Sequence, residues 1–335
     1  MSQARRSKLR IAAELLFIAA MSVPSAVWAQ AGSSSPGMTA YKVNVGLVAL
    51  NVSVSDKAGR PYTRLSADNF RVYDNGIEQV IQHFSTEDQP YTMGLVLDRS
   101  GSMADMIKEV YQAAVHAVTA SKATDEFFIT TFNDTSSPRQ DFSKDQALLE
   151  KRLRGVTAEG RTALYDAVLS ALEHIKQGSY DKKALLVVTD GADNTSHHSF
   201  QELLERARQE NVAIYIVGMF DELALGVEGQ RKDALEALLM QLADASGGKA
   251  FFPTTVKQCE QACIAIAEEL RQQYAIGYYP HPKLQDGSWR AIQVQLHLPE
   301  QLYDQGLTAR ARAGYYAPLL SSKAGTKEGG YALQK

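Results

Sequence analysis

The chain has 335 residues, a formal net charge of −3 and a hydrophobic content of 45%. This length predicts two domains, or one large domain with additions, and the apolar fraction is ordinary for a protein with a real core. The charge gives no reason to expect attraction to nucleic acid or to anionic lipid, and no basic stripe contradicts this.

The first 29 residues have the pattern of a secretory signal peptide. A basic start is followed by a mostly apolar stretch and by small residues that predict cleavage after Ala29. Removal of the segment's four basic residues and one acid takes the net charge from −3 to −6. We therefore expect a secreted, periplasmic or cell-envelope protein with no membrane span after cleavage, and retention of the segment as an anchor stays open.

A Ser/Gly linker at 30–38 leads into an N-terminal β segment at 39–89. Residues 41–55 alternate apolar and polar side chains, and turn signals follow at Asp56–Gly59 and Asp74–Gly76. This pattern is typical of a small antiparallel β unit.

From residue 90 to residue 273 the pattern changes to alternating strands and helices. Such alternation predicts an α/β domain with a doubly wound, mostly parallel, Rossmann-like sheet that helices cover on both faces. The predicted elements are Thr92–Asp98, Met106–Ala120, Phe127–Phe132, Thr162–Lys176, Ala184–Asp190, Phe200–Gln209, Val212–Val217, Lys232–Ala245, Ala250–Phe252 and Val256–Gln273.

A C-terminal β segment at 274–318 contains three predicted strands, Tyr274–Tyr279, Arg290–Leu298 and Leu307–Tyr316. Three strands bury little by themselves, and so do the N-terminal ones. We expect the two segments to pair in one small β-sandwich-like module into which the α/β domain is inserted. Chain entry and exit then lie together, at the end of the α/β domain opposite Asp98. The polar tail at 319–335 predicts disorder.

The first predicted strand of the α/β domain ends in Asp98-Arg-Ser100-Gly-Ser102. Carboxyl ends of parallel strands are where open α/β sheets bind ligands, and alternate residues here supply three side-chain oxygens. Oxygen donors suit hard cations such as Mg²⁺, Mn²⁺ or Ca²⁺.

Two later segments supply further oxygens at the ends of predicted elements. Thr162 lies in Gly160-Arg-Thr-Ala-Leu, where a loop enters a helix, and Asp190 follows a second buried strand in Thr189-Asp-Gly. The three motifs, in this order, resemble the von Willebrand factor type A domain and its metal-ion-dependent adhesion site. The resemblance implies five metal-site residues: Asp98, Ser100, Ser102, Thr162 and Asp190.

The resemblance extends over residues 41–318 to the bacterial exported group called VWFA-related proteins, through Val52–Pro61, Leu65–Gly76 and Ala309–Pro318. It implies that the two serines ligate the cation directly and that Thr162 joins directly or through water. The two aspartates supply charge and orient water, and one coordination position is left for a carboxylate of the partner.

The same residues allow three other interpretations. Asp98 to Ser102 could cap a helix, but a cap needs neither Thr162 nor Asp190. A nucleophilic serine fails because Asp98 and Ser102 stand where the elbow motif requires glycines. A phosphoaspartyl enzyme lacks the acid two residues after Asp98, since Ser100 is there.

Other reactive side chains are interpreted as structural. His197 and His198 are adjacent, and adjacent side chains point apart, so a solvated loop is favoured over a metal site. Asp193 and Asn194 either shape the rim of the site, hold a second and weaker cation, or bond their own turn, and the turn is favoured. Cys259 and Cys263 are too far apart on a helix for a disulfide, which predicts two free buried thiols.

The function that we expect is an exported, non-enzymatic adhesion module that binds a protein through a divalent cation and an Asp or Glu of that partner. The alternative is a structural or assembly component of a cell-envelope complex, with a purely structural metal. Chelation should abolish partner capture in the first case and should lower only the melting temperature in the second.

Overall fold

The computed structural model describes residues 46–190, 192–220 and 232–319, and the backbone of 229–231. The expected signal peptide, the linker at 30–38 and the tail from residue 320 onward lie outside the described residues. In the described part of the chain, no helix is long and apolar enough to cross a membrane.

A six-stranded sheet with the order β10-β9-β8-β5-β6-β7 forms the centre of the α/β domain. All of its strand pairs are parallel except β6 with β7. Every residue of β5 and β6 is buried, as expected for strands covered on both faces. The strands are β5 (Thr92–Asp98), β6 (Glu126–Phe132), β7 (Ser136–Ser143), β8 (Lys183–Thr189), β9 (Ala213–Gly218) and β10 (Ala250–Phe251).

Six helices cover this sheet and create a separate apolar core on each face. One core is built by α1, α2 and α6, and the other by α3, α4 and α5. The doubly wound, mostly parallel architecture is therefore confirmed. The helices are α1 (Ile107–Thr119), α2 (Gln146–Leu153), α3 (Leu164–His174), α4 (Phe200–Gln209), α5 (Gly229–Ser246) and α6 (Val256–Arg271).

Two elements, β7 and α2, were not predicted. β7 is a half-exposed antiparallel edge strand that contains Pro138, so it lacks the apolar run of its neighbours. α2 buries only Leu149 and Leu153, and its start is set by Asp145, whose carboxylate accepts the Leu148 N–H at 3.0 Å. Neither element has enough apolar periodicity to be recognised in isolation.

The N-terminal and C-terminal β segments share two four-stranded antiparallel sheets, with the orders β13-β1-β11-β4 and β14-β12-β2-β3. Each sheet takes two strands from each segment, which confirms the expected pairing. Side chains from both sheets meet in one apolar core. The strands are β1 (Val48–Ser55), β2 (Phe70–Asp74), β3 (Ile77–Gln79), β4 (Ile81–Ser85), β11 (Tyr274–Tyr278), β12 (Trp289–Leu296), β13 (Thr308–Arg310) and β14 (Gly314–Tyr316).

One detail of this module differs from the prediction. The single strand expected over Leu307–Tyr316 is two short strands, β13 and β14, which belong to different sheets. The chain crosses from one sheet to the other at residues 311–313. A continuous strand pattern in the sequence does not reveal such a crossing, because both halves alternate in the same way.

Chain entry and exit of the α/β domain lie together, as expected. Arg271, the last residue of α6, donates to Asp88 just before β5 at 2.9 Å and also bonds to Asp125. Its guanidinium lies 5.7 Å from the ring centre of Tyr91. This junction is at the amino end of β5, so Asp98 is at the far end of the same strand.

The two cysteines are free buried thiols on α6, as expected.

The β module holds a buried ion pair. Arg290 Nε donates to Asp74 Oδ1 at 2.6 Å, and the two residues are 1% and 0% exposed. The hydroxyls of Tyr278 and Tyr315 donate to the other Asp74 oxygen at 3.0 and 2.9 Å. Asp74 belongs to β2 and Arg290 to β12, so the pair joins the two segments.

We predict that Arg290→Met lowers the free energy of unfolding by about 3–5 kcal/mol, because it leaves the Asp74 carboxylate buried without a cation. Urea unfolding of the full chain measures this loss. Arg60→Met breaks an exposed ion pair with Asp56 and is the matched control, with little change expected. Equal stability of the two variants would show that the Asp74 carboxylate does not need its partner.

Candidate metal centre

Oxygen-bearing side chains meet at the carboxyl edge of the central sheet, where β5 and β8 lie side by side. Asp98 ends β5, and Asp190 directly follows β8. Because the two strands are parallel neighbours, both carboxylates reach the same edge, which is the usual ligand-binding edge of such sheets.

Hydrogen bonds hold four of the five predicted residues in one cluster. The hydroxyls of Ser100 and Ser102 are 3.1 Å apart, and the Ser102 hydroxyl donates to Asp190 Oδ1 at 2.9 Å. Asp98 Oδ1 accepts the Ser100 N–H at 2.8 Å, while its other oxygen accepts the Thr189 hydroxyl at 2.6 Å. Ser100 is 1% exposed, whereas Ser102 is exposed, so the cluster opens to solvent on the Ser102 side.

The serine loop does not cap α1, so the helix-cap interpretation is wrong. α1 begins at Ile107, and a 3-10 turn at Gly101–Asp105 lies between it and Ser100, whose side chain makes no capping bond. The Tyr111 hydroxyl on α1 instead donates to the backbone oxygen of Asp98 at 3.1 Å, which fixes the end of β5.

Thr162, the fifth predicted residue, is 3% exposed and lies in the loop that enters α3. A backbone hydrogen bond joins its segment to the serine loop, because Gly101 N–H donates to Gly160 O at 3.0 Å. Gly160 has φ +78°, and a β-carbon there would lie 2.2 Å from Asp134 Oδ2, so this position requires glycine. Thr162 itself is held through its backbone by Asn194, at 3.0 Å.

The cluster concentrates negative charge in a buried place. Asp98 is 0% exposed and Asp190 is 4% exposed. Burial raises the pKa of Asp98, and burial together with the nearby Asp98 charge raises the pKa of Asp190 to about 7. Among the residues that the structure describes, no lysine or arginine forms an ion pair with either carboxylate.

The donor set fits a small hard cation. Ligands at 2.0–2.1 Å in an octahedron lie roughly 2.9 Å from their neighbours, which is close to the 3.1 Å between the Ser100 and Ser102 hydroxyls, and the Asp190 carboxylate lies beside them, 2.9 Å from Ser102. The described part of the chain contains no group of three or more His, Cys, Asp or Glu side chains arranged for a metal. A cation site built from the two carboxylates of this edge therefore needs the serine hydroxyls as further oxygen donors.

Several supporting residues were missed in the sequence. Thr189 and Tyr111 each bond to Asp98, yet no role was predicted for either hydroxyl. The position of Thr189 next to Asp190, a predicted site residue, was the one feature of the sequence that could have indicated its role. Tyr111 gave none, because an aromatic residue on the buried stripe of a helix is indistinguishable from ordinary core.

The histidine pair is exposed, as expected for a solvated loop, but the two side chains do not diverge. The Nδ1 atoms of His197 and His198 both face the Asp166 carboxylate, at 3.1 and 2.7 Å. Partial burial alone would raise the pKa of Asp166, but the backbone N–H groups of both histidines together with these ring contacts lower it, and the same carboxylate raises the pKa of His198. Asp166 is on α3, so the contact attaches this loop to the helix.

Asp193 and Asn194 do more than stabilise their own turn. Asp193 accepts the Ser196 N–H within the turn at 3.2 Å, and it also accepts the Tyr165 N–H of α3 at 3.0 Å. Asn194 bonds to Thr162. The turn interpretation therefore describes only part of their contacts.

The family model for the von Willebrand factor type A domain matches residues 93–263 of the chain. A comparison with curated proteins gives no match.

Several solved structures are similar to parts of the chain. BatB from Bacteroides thetaiotaomicron is 14% identical, with a TM-score of 0.45, over 54% of this chain and 98% of its own. The vWF domain of the type V pili tip protein Mfa5 from Porphyromonas gingivalis is 12% identical, with a TM-score of 0.44, over 53% of this chain and 94% of its own. A von Willebrand factor type A protein from Catenulispora acidiphila is 10% identical, with a TM-score of 0.46, over 84% of this chain and 76% of its own. These values are too low to transfer a function.

We predict that Asp190→Asn stabilises the metal-free protein at pH 8 by roughly 1–3 kcal/mol, because it removes one of two adjacent buried charges and keeps an oxygen for the Ser102 hydroxyl. Urea unfolding in EDTA measures the gain, and Mg²⁺ should then add no stability to the variant. Asp105→Asn, which changes an exposed carboxylate of the serine loop, is the control. A loss of stability in the Asp190 variant would contradict the charge argument.

Proposed function

Because the chain belongs to the von Willebrand factor type A domain family, whose domains generally bind other proteins, we propose that it is an exported, metal-dependent adhesion module. Its partner is a protein that presents an Asp or Glu side chain. The cation is Mg²⁺, or Mn²⁺ or Ca²⁺, and the five residues that hold it are Asp98, Ser100, Ser102, Thr162 and Asp190.

One observation supports this proposal most directly: two buried carboxylates and two hydroxyls lie together at a solvent-accessible sheet edge, and no cationic side chain among the described residues pairs with them. Burying two like charges costs free energy unless a cation compensates them. A divalent ion supplies that compensation, and the exposed side at Ser102 leaves room for a ligand from outside.

The residues have distinct parts in this proposal. Ser100 and Ser102 donate neutral oxygens directly, while Asp98 and Asp190 supply charge and orient water. Neutral hydroxyls leave the cation under-neutralised, which favours a carboxylate of the partner at the remaining position. When bound, the cation supplies electrostatic attraction for that carboxylate. Arg99, next to Asp98, pairs with Glu159 at 2.8 Å and has no part in this proposal.

We propose that the site does not catalyse a reaction. A serine nucleophile needs a base within hydrogen-bond reach, and the only such groups bonded to the two serines in the described chain are Asp98 and Asp190, whose charges this proposal assigns to the cation. His197 and His198 face Asp166 instead of the serines.

We further propose the division of the chain into a signal peptide, the β segments 39–89 and 274–318, and the domain 90–273 inserted between them. The β module then acts as a stalk. The junction at Arg271 lies at the end of β5 opposite Asp98, so the candidate site points away from that stalk.

We predict that the double variant Ser100→Ala with Ser102→Ala loses measurable Mg²⁺ binding in titration calorimetry while its circular dichroism stays unchanged, because two direct oxygens are removed and the strand is kept. Thr119→Ala, which removes an exposed hydroxyl at the end of α1, is the control and should bind like the wild type. If the double variant binds Mg²⁺ with wild-type affinity, the assignment of the site is wrong.

Removal of the metal separates an adhesion function from a purely structural metal. Capture of partners from an envelope extract should require Mg²⁺, fail in EDTA, and fall with an excess of free glutamate. If EDTA lowers only the melting temperature and leaves capture intact, the metal is structural and the adhesion proposal is wrong.

The purified full chain should show no hydrolysis of ester, phosphoester or peptide substrates above background, because the carboxylate bonded to Ser102 is assigned to the cation and the histidines of the neighbouring loop face Asp166. Chromogenic substrate assays with and without Mg²⁺ test this. Turnover that disappears in Asp98→Asn would show instead that the edge is an active site.

A further inference from the structure

We propose that Asn194 is a positioning residue of the metal site: it fixes Thr162 relative to Asp190 without contacting the cation. The inference rests on the proposed function, because it assumes that Thr162 helps to hold a divalent ion. Asn194 follows Asp190 by four positions, in the loop between β8 and α4.

Asn194 holds Thr162 at two points. Its side-chain Oδ1 accepts the Thr162 N–H at 3.0 Å, and its own backbone N–H donates to Thr162 O at 3.0 Å. Both polar backbone groups of Thr162 are therefore engaged by one residue. Two such bonds fix the peptide planes on either side of the Thr162 α-carbon and hence the direction of its side chain.

The loop that carries Asn194 is itself fixed to α3. Asp193 accepts the Tyr165 N–H at 3.0 Å, and Ser196 Oγ accepts the Asp166 N–H at 3.1 Å. Both amides belong to the first turn of a helix, where N–H groups lack partners within the helix. Asn194 lies between these two anchors, so its side chain has a set position against the Thr162 segment.

The loop anchors continue beyond Ser196. The Asp166 carboxylate accepts the backbone N–H groups of His197 and His198 at 2.9 and 3.1 Å, in addition to their ring contacts. Amides of α3 therefore donate to side chains of the loop, and amides of the loop donate to a side chain of α3. Displacement of the loop after Asp190 would carry Thr162 with it.

This arrangement joins two candidate ligands from separate elements. Asp190 comes from the end of β8, and Thr162 precedes α3, with a positive-φ glycine two residues before it at Gly160. Without the Asn194 oxygen, the N–H of the buried Thr162 loses its acceptor, and the segment is free to turn at that glycine. Loss of a group that orients a metal ligand typically weakens metal binding by about 10- to 100-fold.

The experiment measures Mg²⁺ affinity of the full chain by titration calorimetry and amide hydrogen exchange of Thr162 by NMR. Asn194→Ala should weaken binding by about 10- to 100-fold and speed exchange at Thr162. Asn194→Gln moves the amide oxygen by one methylene and should weaken Mg²⁺ binding and speed exchange at Thr162 in the same way. It replaces the alanine variant if that variant folds poorly. Asn194→Asp keeps the acceptor oxygen and should restore most of the affinity.

Asn69→Ala is the matched control. Asn69 Oδ1 also accepts a backbone N–H, that of Ser66 at 2.9 Å, but in the β module. A purely structural role for Asn194 predicts equal Mg²⁺ affinity in both alanine variants once both are folded, and that result would overturn the inference.

A double-mutant cycle with Thr162→Val tests whether Asn194 acts through Thr162. Adding Asn194→Ala to Thr162→Val should then cost little further affinity. Additive losses, or wild-type affinity in Thr162→Val, would overturn the inference. Failure of the proposed function is distinguishable, because the wild type would then bind no Mg²⁺ and the Thr162 exchange rate would still report on the Asn194 contact.

Discussion

The pairing of the N-terminal strands with the C-terminal strands is the constraint on which the rest of the structure depends. β1 is hydrogen-bonded on one side to β11 and on the other to β13, so both neighbours of this N-terminal strand lie beyond the whole α/β domain in the chain. Two backbone ladders thus close a very long chain segment. The benefit is a shared apolar core that neither β segment could form alone.

A polar network ties this module to the α/β domain. The Glu269 carboxylate on α6 accepts the hydroxyls of Ser53 at 2.8 Å and of Tyr215 at 2.7 Å, and it also bonds to Arg310. These partners come from β1, β9 and β13. Since Glu269 is 9% exposed, the carboxylate needs all of these donors, and its network therefore specifies one arrangement of the elements that meet there.

The two ends of the central sheet use charge in opposite ways. At the amino end, Arg271 lies between Asp88 and Asp125 and neutralises them, which suits a junction that holds two chain segments together. At the carboxyl end, Asp98 and Asp190 lie together, and no lysine or arginine in the described chain pairs with either carboxylate. The length of β5 therefore separates the junction, where charges are paired, from the site, where buried carboxylates favour a cation.

The sequence alone indicated the order and type of most elements, and its motifs, read with the family resemblance, selected Asp98, Ser100, Ser102, Thr162 and Asp190 as site residues. The buried strands are continuous apolar runs, and oxygen-bearing side chains that follow parallel strands must reach one edge. These are local patterns, so one chain suffices to recognise them. β7 and α2 were not predicted because their residues have little apolar periodicity, and their position is set by the neighbouring edge of the sheet.

Only the tertiary structure decided which distant groups meet. The split of the last predicted strand between two sheets depends on the partners β1 and β12, and nothing at residues 311–313 signals it. The contacts of Thr189 and Tyr111 with Asp98, and of Asn194 with Thr162, join residues far apart in the chain. Periodicity shows which face of an element is buried, but the partner of a single polar atom depends on where the other elements pack.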